Sequence, residues 1–298
     1  MNYVITGGAG NVSGPLVKDL LAAGKQVTVI GRNAEHLKEL IQAGATAAIG
    51  SVEDAHFLIE AFKNADAAYT MIPPKFETEN WKQYVAGVAE NYAVAIEASK
   101  IKHVVNLSSI GAHLSEGAGP ISALHYAERL LNSLEGVNIL HLRPTFFYQN
   151  LLTSIPLVRN AGIIGSNFSI GDNKFPLVDP TDIAQVAFQE LVTLKFSGNS
   201  FRYIASDEVS TDSIAQTIGN AIGNPDLKWV LFSEGDALQI MRRAGLSKEI
   251  AENFTAMHAS LDSGRVTEDY WKKKPLVLGK VKLADFAKVF SRLYADAS

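Results

Sequence analysis

The sequence predicts an α/β fold, a doubly wound parallel sheet with a smaller, mainly helical C-terminal lobe, on three observations. The chain opens on an apolar strand that runs straight into a glycine-rich turn, Val4-Ile5-Thr6-Gly7-Gly8-Ala9-Gly10-Asn11-Val12-Ser13-Gly14. Short apolar runs then alternate with amphipathic helical runs through the first half, the grammar of strand–helix–strand units wound about a parallel sheet. After Arg143-Pro144 the alternation gives way to aromatic residues, a loop rich in Gly, Ser and Asn over 162–174, and a largely helical tail.

Each element has local grounds. Residues 3–6 form the first strand, and Val12, Leu16, Val17, Leu20 and Leu21 make the apolar stripe of a helix over 12–23. Strands follow at 27–30, 46–49, 67–72, 104–107 and 139–142, with helices between them at about 35–43, 53–62, 80–99 and 121–134. Gly24 and Gly44 stand where a left-handed residue is wanted past a helix end, and Ser51 followed by Asp54 resembles a capping box. A strand–helix pair is expected near 175–194, one more sheet strand at 201–205, and helices at 211–222, 234–244, 248–260 and 283–294.

Composition narrows the functional classes. The chain has 298 residues, 47% of them apolar, and a net charge of -4 gives no electrostatic reason to expect nucleic acid or an anionic membrane as partner. With no cysteine, disulfides, thiol catalysis, iron–sulfur ligation and cysteine-bound zinc are all removed. His103, His113, His141 and His258 lack metal-ligand spacing, so no catalytic metal is expected. The chain enters directly into a strand without a basic, apolar leader, and no apolar run nears the roughly 18 residues of a bilayer span. A cytoplasmic protein is the expectation.

The glycine turn is suited to a diphosphate. Glycines let the backbone bend tightly and let phosphate oxygens approach, while the following helix points free N–H groups and its positive dipole end at them. Thr6, Gly7, Gly8, Ala9, Gly10, Asn11 and Val12 are therefore the expected cofactor cradle. Ser13 stands where a third glycine usually permits close helix-to-strand packing, so a small hydroxyl must be accommodated there. At the end of the second strand, Ile30-Gly31-Arg32-Asn33 has no carboxylate to bind the ribose hydroxyls and repel a 2′-phosphate. Arg32 offers a charged planar fork instead, which favours NADP(H) over NAD(H). Met71, Ile72 and Pro73, ending the fourth strand, lie along the path toward the nicotinamide, and Ser51 past the third strand is counted with the cofactor residues.

The glycine turn, the strand-end Ser108-Ser109 and the run Leu142-Arg143-Pro144-Thr145-Phe146-Phe147-Tyr148-Gln149-Asn150 together resemble the atypical short-chain dehydrogenase/reductases, specifically their NmrA-like group. The resemblance spans nearly the whole chain: Asp179-Pro180-Thr181-Asp182-Ile183-Ala184 looks like the segment returning to the cofactor domain, and Val209-Ser210-Thr211 like the start of the next helix. It implies a Rossmann domain over 1–150 with a return segment at about 175–206, and a substrate lobe from 151–174 and 207–298. The group contains NADPH-dependent quinone reductases, reductases of plant phenolics and NADP(H)-sensing regulators.

The wider superfamily's catalytic Tyr, with Lys four residues on, is missing: Tyr126 is followed by Leu130, and aligning His125 with the Lys position puts Ile121 at the Tyr position. His125-Tyr126-Ala127-Glu128 resembles instead the His-x-x-Glu of some NmrA-like quinone reductases. Histidine can donate a proton near neutral pH or hold a ribose hydroxyl, which makes His125 both a catalytic and a cofactor candidate. Ser109 and Tyr148 complete the catalytic set, Ser108 is assigned to the cofactor, and Phe146, Phe147 and Asn150 to an aromatic or quinone-like substrate. Ketone reduction without an acid is hard because an alkoxide must be protonated at once, whereas a quinone or enone gives a delocalised anion. Two classes stay open: an oxidoreductase for such an acceptor, and a non-catalytic NADP(H) sensor acting through a protein partner. A homodimer is open too, and a sugar-nucleotide epimerase suffers from the same missing pair.

Overall fold

The computed structural model describes residues 1–171 and 173–296. Its first half alternates β1 (Asn2–Ile5), α1 (Ser13–Ala22), β2 (Gln26–Gly31), α2 (Lys38–Gln42), β3 (Thr46–Ile49), α3 (Ala55–Phe62), β4 (Ala67–Thr70), α4 (Trp81–Ser99), β5 (His103–Leu107), α5 (Pro120–Asn132) and β6 (Asn138–Pro144). The second half holds β7 (Phe146–Phe147), α6 (Ile155–Ala161), β8 (Ile164–Ser166), β9 (Phe175–Val178), α7 (Pro180–Thr193), β10 (Asn199–Ile204), β11 (Asp207–Val209), α8 (Thr211–Ile222), β12 (Trp229–Leu231), α9 (Glu234–Arg243), α10 (Lys248–Asp262), α11 (Glu268–Lys273) and α12 (Leu283–Asp296).

Seven parallel strands lie in the order β10-β6-β5-β4-β1-β2-β3, and the order reverses between β1 and β4. That reversal is the switch point at which such sheets open a ligand crevice at their carboxyl ends. Successive residues face opposite sides, as the period of two demands. Ile5, Val29, Tyr69 and Val105 pack against α1 and α7, while Val4, Ile30, Ala68, Val104 and Ile139 pack against α3, α4 and α5. No helix among the described residues is long and apolar enough to cross a membrane.

Local signals fare well where the chain decides alone. Gly24 and Gly44 take φ of +71° and +107°, and each closes its helix through a paired set of turn bonds, Lys25 N to Leu20 O with Gly24 N to Leu21 O, and Ala45 N to Leu40 O with Gly44 N to Ile41 O. Three expectations need correction. The Ser51 box is not formed: Asp54 itself caps α3 by accepting from Phe57 N at 3.0 Å, while the Ser51 hydroxyl accepts from Glu53 N. The run 35–43 divides into a 3-10 turn and α2. The fourth strand stops two residues early, because Met71 N donates to the Thr6 hydroxyl at 2.9 Å instead of continuing the ladder.

The lobe is less purely helical than expected. It holds two small sheets, β11-β9-β7 and β12-β8, so the strand foreseen before α7 pairs outside the main sheet. Its core is aromatic, built on Tyr148, Phe168, Phe175, Tyr270, Phe286 and Phe290, and takes in Ile110 and Ile121 from the sheet's carboxyl end. Buried Asp182, in the first turn of α7, fastens the tail to that core. Its carboxylate accepts from Ser206 Oγ at 2.6 Å, Lys280 N at 3.0 Å and Val281 N at 3.1 Å.

A polar thread crosses the sheet beneath α5. Thr70 Oγ1 donates to Asn106 Oδ1, Asn106 Nδ2 donates to His141 Nδ1 at 3.1 Å, and His141 Nε2 donates to Asn132 Oδ1 at 3.0 Å. Both imidazole nitrogens are thus committed in the neutral ring, and burial pushes the His141 pKa down from 6.5 to about 4. Between those values the unfolded chain binds a proton that the fold refuses, so this contribution is complete above the unfolded pKa and fades as pH falls toward the folded one. Urea unfolding at neutral and mildly acidic pH should show a loss shallower by about 2 kcal/mol in His141→Gln than in the native chain.

Candidate cofactor and active site

The site begins at the turn between β1 and α1. Gly7 has φ +93°, and a Cβ there would meet Ser13 Oγ at 2.5 Å and Met71 Cγ at 3.0 Å. A Cβ on Gly10 would lie 3.0 Å from Gly7 O, and one on Gly14 3.3 Å from Ala9 O. The turn is therefore as tight as glycine allows. Ser13, the departure noted in the sequence, is absorbed by a bond: its buried hydroxyl donates to Thr6 O at 2.7 Å and pins the helix to the strand.

Gly8 N bonds to Ile30 O, Gly10 N to Gly7 O and Gly14 N to Gly10 O, but the N–H groups of Ala9, Asn11 and Val12 find no acceptor among the described residues. Nor does any side chain cap α1, and no acidic residue occupies its first turn. Free donors at an uncapped helix start, in a backbone too close for side chains, fit a dinucleotide's diphosphate. The side chains of Thr6 and Val12 belong to this frame rather than to the contact surface, to which Val12 brings its N–H alone. Both are buried, and the Thr6 hydroxyl is occupied by Met71 N. Ala9, Gly10 and Asn11 are exposed.

A cleft of about 710 Å³ opens beside the turn, lined by these three residues, by Pro15 and Lys18 of α1, and by Gln149, Asp179, Pro180 and Thr181. Gln149 went unassigned in the sequence although its neighbours were named. It donates to Asp179 Oδ2 at 3.4 Å, and its carbonyl oxygen is buried without a partner. Arg32, Ser109 and His125 do not line this cleft. Arg32 follows β2, is exposed, and makes no hydrogen bond or ion pair among the described residues. Asn33 beside it is spent on Glu35 N.

On the β4–β5 side, Met71, Ile72 and Pro73 are half-buried, and their carbonyls anchor α4 through Tyr92 OH to Met71 O at 2.6 Å and Tyr84 OH to Pro73 O at 2.8 Å. Ser109 is half-buried, and its hydroxyl has no hydrogen-bond partner among the described residues. It opens a turn in which Ala112 N donates to Ser109 O, and the Ala112 carbonyl in turn accepts from His125 Nδ1 at 2.8 Å. One turn thus ties Ser109 to His125. Since a carbonyl can only accept, Nδ1 carries the proton and Nε2 is left without a partner among the described residues.

Three assignments need revision. Ser108 does not face the cofactor freely, because its buried hydroxyl donates to Glu128 Oε1 at 2.5 Å. Glu128 in turn holds Arg143 in two bonds, from Nε at 2.9 Å and from Nη2 at 2.6 Å. The His-x-x-Glu pattern therefore splits into one residue at the helix's open side and one facing the interior. Tyr148 is not a catalytic group: its ring is fully buried, stacked 5.2 Å from Phe286, with its hydroxyl pKa raised mainly by burial. Phe146 and Phe147 alternate on β7, so Phe146 joins Phe168 and Phe175 in the lobe while Phe147 packs into the sheet's core, away from any shared wall. Asn150 is exposed on the 3-10 segment Tyr148–Ser154. No cluster of three or more metal-binding side chains occurs among the described residues.

Comparisons with known proteins agree with this geometry. A reductase of Streptomyces griseus, named for (4-alkanoyl-5-oxo-2,5-dihydrofuran-3-yl)methyl phosphate, is 23% identical over 222 residues, covering 74% of each chain. The NADPH-dependent quinone oxidoreductase of Escherichia coli, solved with NADPH, superposes with a TM-score of 0.80 at 19% identity, over 98% of this chain and 99% of that one. A nucleoside-diphosphate-sugar epimerase of Staphylococcus aureus superposes with a TM-score of 0.77 at 16% identity, over 97% and 100%. Likenesses this remote show the fold, and a fold shared by a reductase and an epimerase does not choose between reactions. The model of one family, described as NAD(P)H-binding, matches residues 7–169 and so begins on the glycine turn. Spanning more than half of the sequence and the glycines of the turn, that match shows that the chain belongs to the NAD(P)H-binding family.

Proposed function

We propose that the chain is an NADPH-dependent oxidoreductase acting on a quinone-like or enone acceptor. The observation that carries this reading is His125, held by the Ala112 carbonyl with Nε2 open, on a helix that lacks the phenol–lysine pair. Tyr126, its neighbour, is turned to the surface, where its bond to Glu90 at 3.1 Å raises its pKa and makes it a poorer acid. Reduced nicotinamide supplies a hydride when bound. What the protein must add is alignment, and a donor for the delocalised anion that an easily reduced acceptor leaves. The open Nε2 of His125 donates only when the ring is the imidazolium, and the free Ser109 hydroxyl is a second donor at the other end of the same turn. Neither group needs the strength required to protonate an alkoxide.

Arg32 supports the choice of NADPH. A guanidinium with no hydrogen bond or ion pair among the described residues is available for a charge-assisted bond to the 2′-phosphate. Arg32→Ala is expected to weaken NADPH binding about tenfold or more while leaving NADH affinity within about twofold, which titration of both cofactors measures. Turnover is tested with purified protein, NADPH and a panel of quinones and enones. Acceptor-dependent loss of NADPH absorbance is the expected result, and a blank panel would return the chain to the sensor class.

A further inference from the structure

The loop leaving β4 runs from Pro73 to the N-cap of α4 and is tied at both ends. Near its start Lys75 pairs with Glu53 at 2.6 Å, and at its end Asn80 caps α4 by accepting from Gln83 N at 3.0 Å. Between these anchors Phe76 is 48% exposed, and its ring lies 6.2 Å from that of Phe254 on α10. The two rings come from opposite bodies, one from the sheet's rim and the other from the lobe.

Phe254 is the fixed partner. The preceding carbonyl, Asn253 O, presses so closely on Gly119 that no Cβ fits there, and one residue beyond it the Thr255 carbonyl accepts from Asn167 Nδ2 at 2.9 Å. Rings continue inward from Phe254 without a break, to His258 at 6.4 Å, then Phe168 at 5.3 Å and Phe146 at 5.9 Å. This row begins over the approach to α5, the helix that carries His125.

We propose that Phe76 and Phe254 form an aromatic gate at the acceptor end of the site, selecting flat ring acceptors by seating them on Phe254 in place of Phe76. The proposal rests on the acceptor reading given above. A flat conjugated ring replaces the ring contact that opening breaks, and a saturated molecule does not. Phe76 can leave because its ring is half in water and the loop's anchors lie on either side of it.

Because the chain has no cysteine, Phe76→Cys/Met257→Cys carries its only thiols and leaves the Phe254 seat in place, Met257 lying one helical turn on from Phe254, and a bis-methanethiosulfonate bridge between them bars that seat reversibly. The bridged protein should lose about tenfold or more of its NADPH-dependent naphthoquinone reduction, and of its binding of naphthol, a flat ring that accepts no hydride. Removing the bridge and desalting should restore both. Phe76→Leu, which leaves no ring contact for opening to break, should lower KM for an aliphatic enone about fivefold with little change for naphthoquinone, and so flatten the preference between them. Should native protein reduce no quinone while the double-cysteine variant loses naphthol binding on bridging, the acceptor reading sinks and the gate stands. Bridged protein that reduces naphthoquinone and binds naphthol as before overturns the gate, as does a failure of the bridge to span the two thiols.

Discussion

Glu128→Ala is expected to destabilise the fold by about 3–5 kcal/mol, because it strands the Arg143 guanidinium in the interior. The two side chains are 6% and 8% exposed, and the carboxylate takes both the Nε and Nη2 bonds of Arg143 as well as the Ser108 hydroxyl. What remains is weaker. Phe201 stacks on the guanidinium at 3.9 Å, and Asp269 Oδ2 stands 3.6 Å from Nη1, but Asp269 already accepts from Tyr203 at 2.7 Å and pairs with Lys273 at 3.0 Å. Urea unfolding checks the magnitude, and the double variant Glu128→Leu/Arg143→Leu checks the cause. Removing both charges together should recover most of the loss, since the cost arises from the unpaired charge rather than from the missing attraction. A single-variant loss below about 1 kcal/mol would mean that water or Asp269 reaches the guanidinium.

The same network shows where sequence reasoning stops. Where the backbone's own conformation carries the signal, the reading holds: the helix ends at Gly24 and Gly44 depend on five or six consecutive residues, and the strands follow the alternation of buried faces, whereas the equally local Ser51 box failed because Asp54 took the cap. The glycine turn was legible for the same reason, being a strand, a tight bend and a helix start in immediate succession. Ser108 was not, because its partner Glu128 lies twenty residues away on α5, and nothing in a strand-end serine says whether its hydroxyl is already used.

The aromatic run after β6 was misread for a second reason, a change of period inside three residues. β7 sends Phe146 and Phe147 to opposite faces, and the 3-10 segment beginning at Tyr148 then turns the next ring inward against Phe286, a residue more than a hundred positions further on. Glu128 and Gln149 were each visible in a quoted motif. Only packing shows that one is structural and the other lines the cleft.

Gly7→Val should abolish NADPH binding, with at least about a hundredfold loss in affinity, through a backbone it can no longer shape. At φ +93° a β-branched residue is strained by itself, and its Cβ would sit 2.5 Å from Ser13 Oγ, the atom that fastens α1 to Thr6 O. Relief requires Ser13 to move, which carries the uncapped start of α1 and the unpaired N–H groups of Ala9 and Asn11 out of register. Backbone strain alone would lower stability by about 1–2 kcal/mol without touching a ligand, so the matching control is Gly24→Val. Gly24 has a similar φ of +71° but nothing within 4 Å of its would-be Cβ, and it lies at the far end of the same helix. Thermal unfolding should therefore fall in both variants, whereas fluorescence titration with NADPH should fail only for Gly7→Val. If the two variants bind alike, the diphosphate is not gripped by the main chain at this turn, because the crowding around Ser13 is what separates the two positions.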